Sequence, residues 1–347
     1  GFHQRLEDGD ARSGVAILTL QEGVARSALQ RRRFALITTP KQWRGAYWRV
    51  RRDPRVVAVV MKFDGEKQSL AAWQEAREQL AEMQDRDVEL VAYINRTGGG
   101  GYWLASAADT VLFDPIGEIH LVGLHSDAQY YKGALDKLGV STTFRRAGEY
   151  KGGPESYTQS GPSEPVQANH DSLLDDLYDQ MVTGMAARRG GSLEQAMATI
   201  DAGPYLGDDA LAAGIVDIIA TPTEVETYLA DRFPDATLIS VGDYIASDYR
   251  PTEWAPPRDT IAIVRINGAM VDGDSMTVPL VGTRLSGART VNRAIQDAAA
   301  DPIVKAIVLD IDSGGGLVSA SESIWRTAQA ARARKPIVSR IGGIGAS

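Results

Sequence analysis

The chain of 347 residues is long enough for two domains that each bury a core. It has 37 basic and 45 acidic residues and no basic stripe, so its composition does not favour a nucleic-acid partner. Cysteine is absent, which excludes disulfides and thiolate zinc sites. No run reaches the about 18 consecutive apolar residues typical of a membrane-spanning helix.

Short apolar runs suited to buried parallel strands alternate with helical stretches, and this pattern predicts an α/β fold. The predicted strands are residues 15–20, 56–63, 88–94, 110–113, 261–266, 304–311 and 337–341. Residues 140–146 are interpreted as a further strand that delivers the glycine-flanked loop after it.

Three helices are predicted from apolar spacing and end signals. The stripes of the first two consist of Leu174, Leu177, Tyr178, Met181 and Met185, and of Val291, Ala294, Ile295 and Ala298. The first stripe is interpreted as core rather than as a cofactor site. The third helix is expected to open with Ser319 and Glu322, which have the spacing of a capping box, and to end before Pro336.

Two segments of the chain resemble each other. Residues 53–64 (DPRVVAVVMKFD) and 301–312 (DPIVKAIVLDID) share six of twelve positions without a gap, at an offset of 248 residues. We interpret this as a duplicated domain, with a first copy over residues 1–249 and a truncated second copy over 250–347. The proline-rich stretch 246–259 is expected to link them.

Ser347 lies where the predicted strand 337–341 runs into a turn of small residues. A hydroxyl at the start of a helix there would be close to free backbone N–H groups, so Ser347 is a candidate nucleophile. The 248-residue offset aligns it with Gly99, which has no side chain to react. If one copy retains chemistry, it is therefore the second.

Glycine clusters follow predicted strands at residues 98–101 and 314–316. Neither cluster fits a dinucleotide or Walker phosphate-binding motif. Gly315 and Gly316 follow a predicted central strand, where open α/β sheets bind ligands, so they are candidates for an oxyanion or substrate-backbone site. From the residues alone, a tight turn is an equally good interpretation.

None of the four histidines has a recognisable catalytic or metal-binding setting, so the base for a serine would most simply be a lysine. Lys151 stands out because glycines flank it at positions 148, 152 and 153. A lysine accepts a proton at neutral pH only where its surroundings favour the neutral form. On the residues alone, an exposed lysine in a glycine turn is the favoured alternative.

Three segments together resemble, in order and spacing, the long two-domain form of signal peptide peptidase A. They are residues 144–153 (FRRAGEYKGG), 308–316 (VLDIDSGGG) and 335–347 (KPIVSRIGGIGAS). That family consists of bacterial membrane-bound proteases with a serine–lysine dyad. The resemblance implies tandem duplicated domains of the Clp protease/crotonase-like fold, built from repeated ββα units.

By the same resemblance, Lys151 in the first domain is the general base and Ser347 in the second is the nucleophile. The N–H of Gly315 would supply half of the oxyanion hole, with Gly316 next to it. Gly314 replaces a family proline, so a looser turn is expected. The residue that would supply the other half follows the serine and is absent, so residues 1–347 alone are expected to have little or no activity.

The resemblance implies a serine endopeptidase that degrades cleaved signal peptides and other hydrophobic envelope polypeptides without a metal or an organic cofactor. It also implies a homo-oligomer, expected to be a tetramer, held in the bacterial inner membrane by a missing N-terminal anchor. The catalytic part would face the periplasm or cell exterior. Two alternatives remain open: a non-catalytic oligomeric scaffold of the same fold and a crotonase-like acyl-CoA enzyme.

Overall fold

The computed structural model describes residues 14–20, 47–53, 56–65, 69–84, 88–189, 191–234, 236–240, 244, 259–279 and 282–345. The chain divides into two compact units, Gly1–Asp248 and Tyr249–Ser347. The sequence analysis placed a boundary near residue 250. Apart from Asp259, the expected linker 246–259 lies outside the described residues.

The first unit alternates strands and helices. Its strands are β1 (Gly14–Leu20), β2 (Val56–Asp64), β3 (Glu89–Gly98), β4 (Thr110–His120), β5 (Tyr205–Leu206), β6 (Ile218–Ile219) and β7 (Thr237–Ser240). Its helices are α1 (Leu70–Gln84), α2 (Gly99–Ala105), α3 (Lys132–Lys137), α4 (Glu155–Thr158), α5 (Glu164–Arg189), α6 (Leu193–Asp201), α7 (Gly207–Ala212) and α8 (Pro222–Arg232).

One sheet forms the centre of this unit, in the order β5-β4-β3-β2-β1-β7, with β6 paired to β4. The pairs from β7 through β1, β2 and β3 to β4 are parallel, while β5 joins β4 antiparallel. Parallel neighbours require a crossover between them, and α1 supplies that crossover between β2 and β3. The α/β class predicted from the sequence is therefore confirmed.

Strand β2 is buried on both faces. Val59 and Met61 belong to the core that includes Leu80 of α1. Val60 lies between them in sequence and belongs to the core on the other face, with Leu229 of α8. A strand enclosed by two helical layers must be apolar at nearly every position, which explains the continuous apolar run of β2.

The second unit contains β8 (Thr260–Asn267), β9 (Ala269–Val271), β10 (Met276–Thr277), β11 (Arg284–Gly287), α9 (Ala288–Ala300), β12 (Val304–Ser313), α10 (Val318–Arg332) and β13 (Ile337–Gly345). Its parallel sheet has the order β13-β12-β8, and a small sheet has the order β10-β11-β9. Ile307 and Leu309 of β12 pack with Ile295 of α9. Ile261 and Ile263, on β8, are 59% and 50% exposed.

Equivalent elements recur at the 248-residue offset. Helix α1 starts at Leu70 and ends at Gln84, and α10 starts at Val318 and ends at Arg332, so both bounds differ by 248 residues. Strands β2 and β12 also start 248 residues apart, as do β3 and β13. The pairing differs locally, because Val59 lies opposite Leu90 whereas Ile307 lies opposite Ile337, one residue earlier than the offset requires.

Two local predictions were wrong. Residues 140–146 do not form a strand, because they are largely exposed and pair with no strand of the described chain. Ser319 is not the N-cap of α10: the N-cap residue is Leu317, two residues earlier, and it makes no side-chain cap hydrogen bond. The Ser319 hydroxyl instead donates to Asp272 Oδ2 at 2.9 Å.

We expect Leu90→Ala to lower the free energy of unfolding by about 2–5 kcal/mol, because Leu90 is fully buried in the first core. Leu138→Ala is the matched control, since Leu138 is 76% exposed, and it should change stability by no more than about 0.5 kcal/mol. Urea unfolding measures both values, and equal losses in the two variants would contradict the described core.

Candidate functional site

Lys151 lies on an exposed loop between α3 and α4. Every residue from 143 to 151 is exposed, and α3 buries none of its side chains. Phe144 stacks on Tyr157, with ring centroids 5.9 Å apart, but apolar packing is otherwise small at this point. The loop is held mainly by polar contacts and by the residues that follow Lys151.

Glu155 provides the polar contacts at the end of this loop. Its side chain is 2% exposed and forms an ion pair with Arg146, at the other end of the loop. The Ser163 N–H donates to Glu155 Oε2 at 2.8 Å, and the Ser163 hydroxyl donates to Oε1 at 2.7 Å. Arg146 Nη1 also donates to the carbonyl oxygen of Lys151 at 3.3 Å. The loop is thus closed on itself and attached to the residue before α5.

These donors explain the ionisation of Glu155. The two hydrogen bonds from Ser163 and the nearby Arg146 guanidinium together lower the pKa of the Glu155 carboxyl below its ordinary value of 4.5, although burial acts in the opposite direction. The start of the 26-residue helix α5 adds a favourable dipole for a negative charge. Glu155 is therefore a carboxylate at neutral pH.

Gly152 is in close contact with α5. A Cβ atom on this residue would lie 2.7 Å from Val166 Cγ2, in the first turn of the helix. A Cβ on the adjacent Gly153 would meet nothing within 4 Å. Further along α5, Met181 and Met185 are buried in the core of the first unit, as the sequence analysis expected. The lysine loop is thereby connected to the core through one long helix.

In the second unit, β12 ends in the turn that contains Gly315 and Gly316. Ser313 is buried, and its hydroxyl donates to the Gly268 carbonyl oxygen at 2.6 Å while accepting from the Gly315 N–H at 3.1 Å. Gly315 has a φ of 105°, in the region that favours glycine. The Gly315 N–H, predicted as an oxyanion donor, is therefore engaged with Ser313 in this structure.

Gly316 approaches the backbone of β9. Met270 N–H donates to the Gly315 carbonyl at 2.9 Å, and Leu317 N–H donates to the Met270 carbonyl at 2.9 Å. Because backbone groups alternate sides along an extended pair, the Gly316 N–H faces away from Met270. A Cβ on Gly316 would lie 2.1 Å from the Met270 oxygen, whereas one on Gly314 would have only Ile344 Cγ2, at 4.0 Å.

Gly99 is the residue of the first unit that aligns with Ser347. It is the first residue of α2, directly after β3. A Cβ on Gly99 would lie 3.3 Å from Met181 Cε and 3.9 Å from Leu121 Cδ1. A side chain at this position would therefore lie against apolar groups, with the end of Met181 in tight contact with its Cβ.

Ser347 itself lies outside the described residues. Of the four predicted site residues, Gly315 and Gly316 lie together in the second unit, and Lys151 lies in the first. The histidines of the described chain that have carboxylate contacts are exposed: His120 contacts Glu118 at 2.6 Å and His125 contacts Asp127 at 2.8 Å. Within the described ranges, no group of three or more potential ligands could hold a metal ion.

The sequence analysis missed the residues that fix these loops: Arg146, Glu155, Ser163, Ser313 and Met270. The sequence contains a weak signal for Glu155, because it lies four residues after Lys151 in a segment that contains few apolar residues. No short motif connects it to Ser163 or to Arg146, since these contacts depend on how the loop folds back.

Residues 82–233 match the family model described as peptidase family S49, and this range contains the lysine loop. Protease 4 of Salmonella typhi is 34% identical over 77% of this chain and 44% of its own length. Protease 4 of Haemophilus influenzae is 26% identical over 85% of this chain and 49% of its own length. The chloroplastic serine protease SPPA of Arabidopsis thaliana is 26% identical over 85% of this chain and 44% of its own length. The chain spans about half the length of these curated relatives.

We expect Gly316→Ala to destabilise the protein by about 1–3 kcal/mol, because the new methyl group would meet the Met270 backbone, which cannot rotate away. Gly314→Ala should be nearly neutral, since its Cβ enters open space. Urea unfolding midpoints compare the two variants, and an equal effect would contradict the close approach of the turn to β9.

We expect Glu155→Gln to lower the free energy of unfolding by about 1–3 kcal/mol at pH 7. The folded-state pKa of Glu155 is lowered, so its stabilising contribution is complete above the ordinary carboxyl pKa of 4.5 and is lost as pH falls through the folded value. The difference between wild type and variant should therefore shrink between pH 7 and about pH 3. Urea unfolding at both values tests this.

Glu149→Gln is the control for this pH experiment, because Glu149 is an exposed carboxylate in the same loop. Its substitution should leave stability within about 0.5 kcal/mol of wild type at either pH. A Glu155→Gln penalty that stayed constant down to about pH 3 would show that the charge of Glu155 does not stabilise the fold.

Proposed function

We propose that the chain, whose residues 82–233 match the model of peptidase family S49, forms part of a serine endopeptidase in which Lys151 is the general base and Ser347 the nucleophile. The observation that carries this proposal is the match of residues 82–233 to the family, because this range contains Lys151 on the loop fixed by Glu155. The Arabidopsis thaliana relative is named a serine protease, which supports the same reaction class.

In the proposed reaction, the Ser347 Oγ attacks the carbonyl carbon of a peptide bond, and the neutral Lys151 amine accepts the hydroxyl proton. The tetrahedral intermediate collapses with cleavage of the C–N bond, and Lys151 returns the proton to the leaving amine. Water then attacks the resulting ester, giving a carboxylic acid and restoring the serine. Every step uses only proton transfer and acyl transfer, so no redox partner is required.

The first unit supports the role of Ser347 by contrast. Its equivalent residue, Gly99, follows β3 directly and starts a helix, but it carries no nucleophile and lies next to Met181 and Leu121. By the same offset, Ser347 would follow β13, with backbone N–H groups at the start of a helix close to its hydroxyl. We therefore assign the reacting position to the second unit.

We propose that the turn of Gly315 and Gly316 binds the oxyanion or the substrate backbone. The buried Ser313 hydroxyl fixes this turn, and glycine at position 316 permits its close approach to Met270. To bind an oxyanion, the Gly315 N–H must leave Ser313 or share its hydrogen between two acceptors. The Gly316 N–H, which faces away from Met270, is already directed to the other side.

The proposed substrates are cleaved signal peptides and other hydrophobic envelope polypeptides, bound in extended form. We also propose a homo-oligomer, expected to be a tetramer, with a membrane anchor and a catalytic part on the periplasmic or extracytoplasmic side. The support for these points is the resemblance to signal peptide peptidase A and the bacterial Protease 4 relatives. No helix within the described residues combines the length and hydropathy needed to cross a bilayer.

We expect a fluorophosphonate probe to label the full-length protein and to lose that labelling in Ser347→Ala and in Lys151→Ala. The serine provides the bond to phosphorus, and the lysine removes the proton that would otherwise keep the serine unreactive. Lys137→Ala is the control, because Lys137 is an exposed lysine of α3 outside the proposed site, and it should label like wild type.

Labelling that persists in Lys151→Ala would place the base elsewhere. Absence of labelling in the folded wild type would favour the non-catalytic scaffold. Activity toward acyl-CoA that survives Ser347→Ala would favour the crotonase-like alternative.

A further inference from the structure

We propose that Glu155 is a positioning residue for Lys151, holding the lysine loop against the start of α5 so that the amine is presented in one place. This inference rests on the proposed function, because it assumes that Lys151 is the base. It adds a residue that touches neither substrate nor the reacting atoms and acts through the backbone of the loop.

The contacts of Glu155 join the two ends of the loop. Arg146 lies before Lys151 in the loop. It forms an ion pair with Glu155 Oε1 and also donates to the Lys151 carbonyl oxygen at 3.3 Å. Ser163 follows the loop and donates to both carboxylate oxygens, at 2.7 and 2.8 Å. One buried carboxylate therefore fixes the residues on both sides of Lys151.

The loop also has an aromatic support, because the ring of Phe144 stacks on that of Tyr157 in α4, with centroids 5.9 Å apart. Residues 143 to 151 are all exposed, so burial of apolar surface contributes little before Lys151. After it, Gly152 packs on Val166 of α5, and the Glu155 N–H donates to the Gly152 carbonyl at 2.9 Å. Because α5 continues to Met181 in the core, the position of the loop relative to the core depends on the junction at Glu155.

A carboxylate suits this junction better than its amide analogue. Its two oxygens accept bonds from the Arg146 guanidinium, the Ser163 hydroxyl and the Ser163 N–H. All three partners donate, and a carboxylate only accepts. Glutamine has nearly the same volume but would direct an NH₂ group at one of these donors. Glu155→Gln therefore removes the charge and at least one of these hydrogen bonds while changing the packing little.

The experiment compares Glu155→Gln, Glu155→Asp, Lys151→Ala and the control Glu149→Gln in the full-length protein, using a fluorogenic apolar peptide and amide hydrogen exchange. We expect Glu155→Gln to reduce kcat about 10- to 100-fold, because a displacement of about 1 Å at a reacting group has that effect. KM should stay within about twofold, since substrate contacts are retained. Glu155→Asp, which keeps the charge, should recover part of the loss.

Amide exchange supplies a readout that does not depend on activity. The amides of Gly152 and Glu155 should exchange at least about tenfold faster in Glu155→Gln than in wild type, and at the wild-type rate in Glu149→Gln. If Glu155→Gln fails to fold, Ser163→Ala removes one donor and leaves the carboxylate and Arg146 in place. Ser163→Ala should also lower kcat and speed amide exchange, but by smaller factors than Glu155→Gln.

Failure of the positioning role and failure of the proposed function would give different results. Full kcat and unchanged exchange in Glu155→Gln, with Lys151→Ala inactive, would overturn the positioning role and leave the proposed function intact. Full activity in Lys151→Ala would overturn the proposed function itself. A loss confined to KM, or an equal loss in Glu149→Gln, would also contradict positioning, because neither is expected from a displaced base.

Discussion

Parallel pairing of one central strand with neighbours on both sides is the constraint on which this chain depends. Strand β2 pairs in this way with β1 and β3, and β12 does so with β8 and β13. Parallel neighbours need crossover connections, which requires helices such as α1 and α10 between them. The same arrangement directs the carboxyl ends of the strands to one edge, where the turn after β12 lies.

The constraint also explains which parts of the fold could be predicted from the sequence. A strand buried on both faces must be continuously apolar, so β2 was recognisable as a short apolar run, and its similarity to the segment of β12 revealed the 248-residue offset. Residues 140–146 also contain apolar and β-branched side chains, but no strand of the described chain pairs with them. A pattern of residue types does not reveal whether a partner is present, and that strand prediction was wrong.

The site could be predicted only in part. Lys151 and the glycine turn were named from glycine spacing and from a family resemblance, whereas Glu155 and Ser313 were not. Both carry out their roles through folded loops: Glu155 binds residues before and after Lys151, and Ser313 binds Gly268, 45 residues earlier in the chain. Contacts of this kind have no periodicity or fixed spacing, so they become visible only in three dimensions.

We propose that Lys151 and Ser347 act together, and the distance from Lys151 Nζ to Ser347 Oγ is the quantity to measure. A crystal structure of the full-length protein, with a peptide aldehyde as a substrate mimic, would give this distance. We expect about 2.6–3.2 Å, the range for proton transfer. A Lys151 amine directed into solvent, with another side chain in hydrogen-bond reach of the Ser347 hydroxyl, would contradict it.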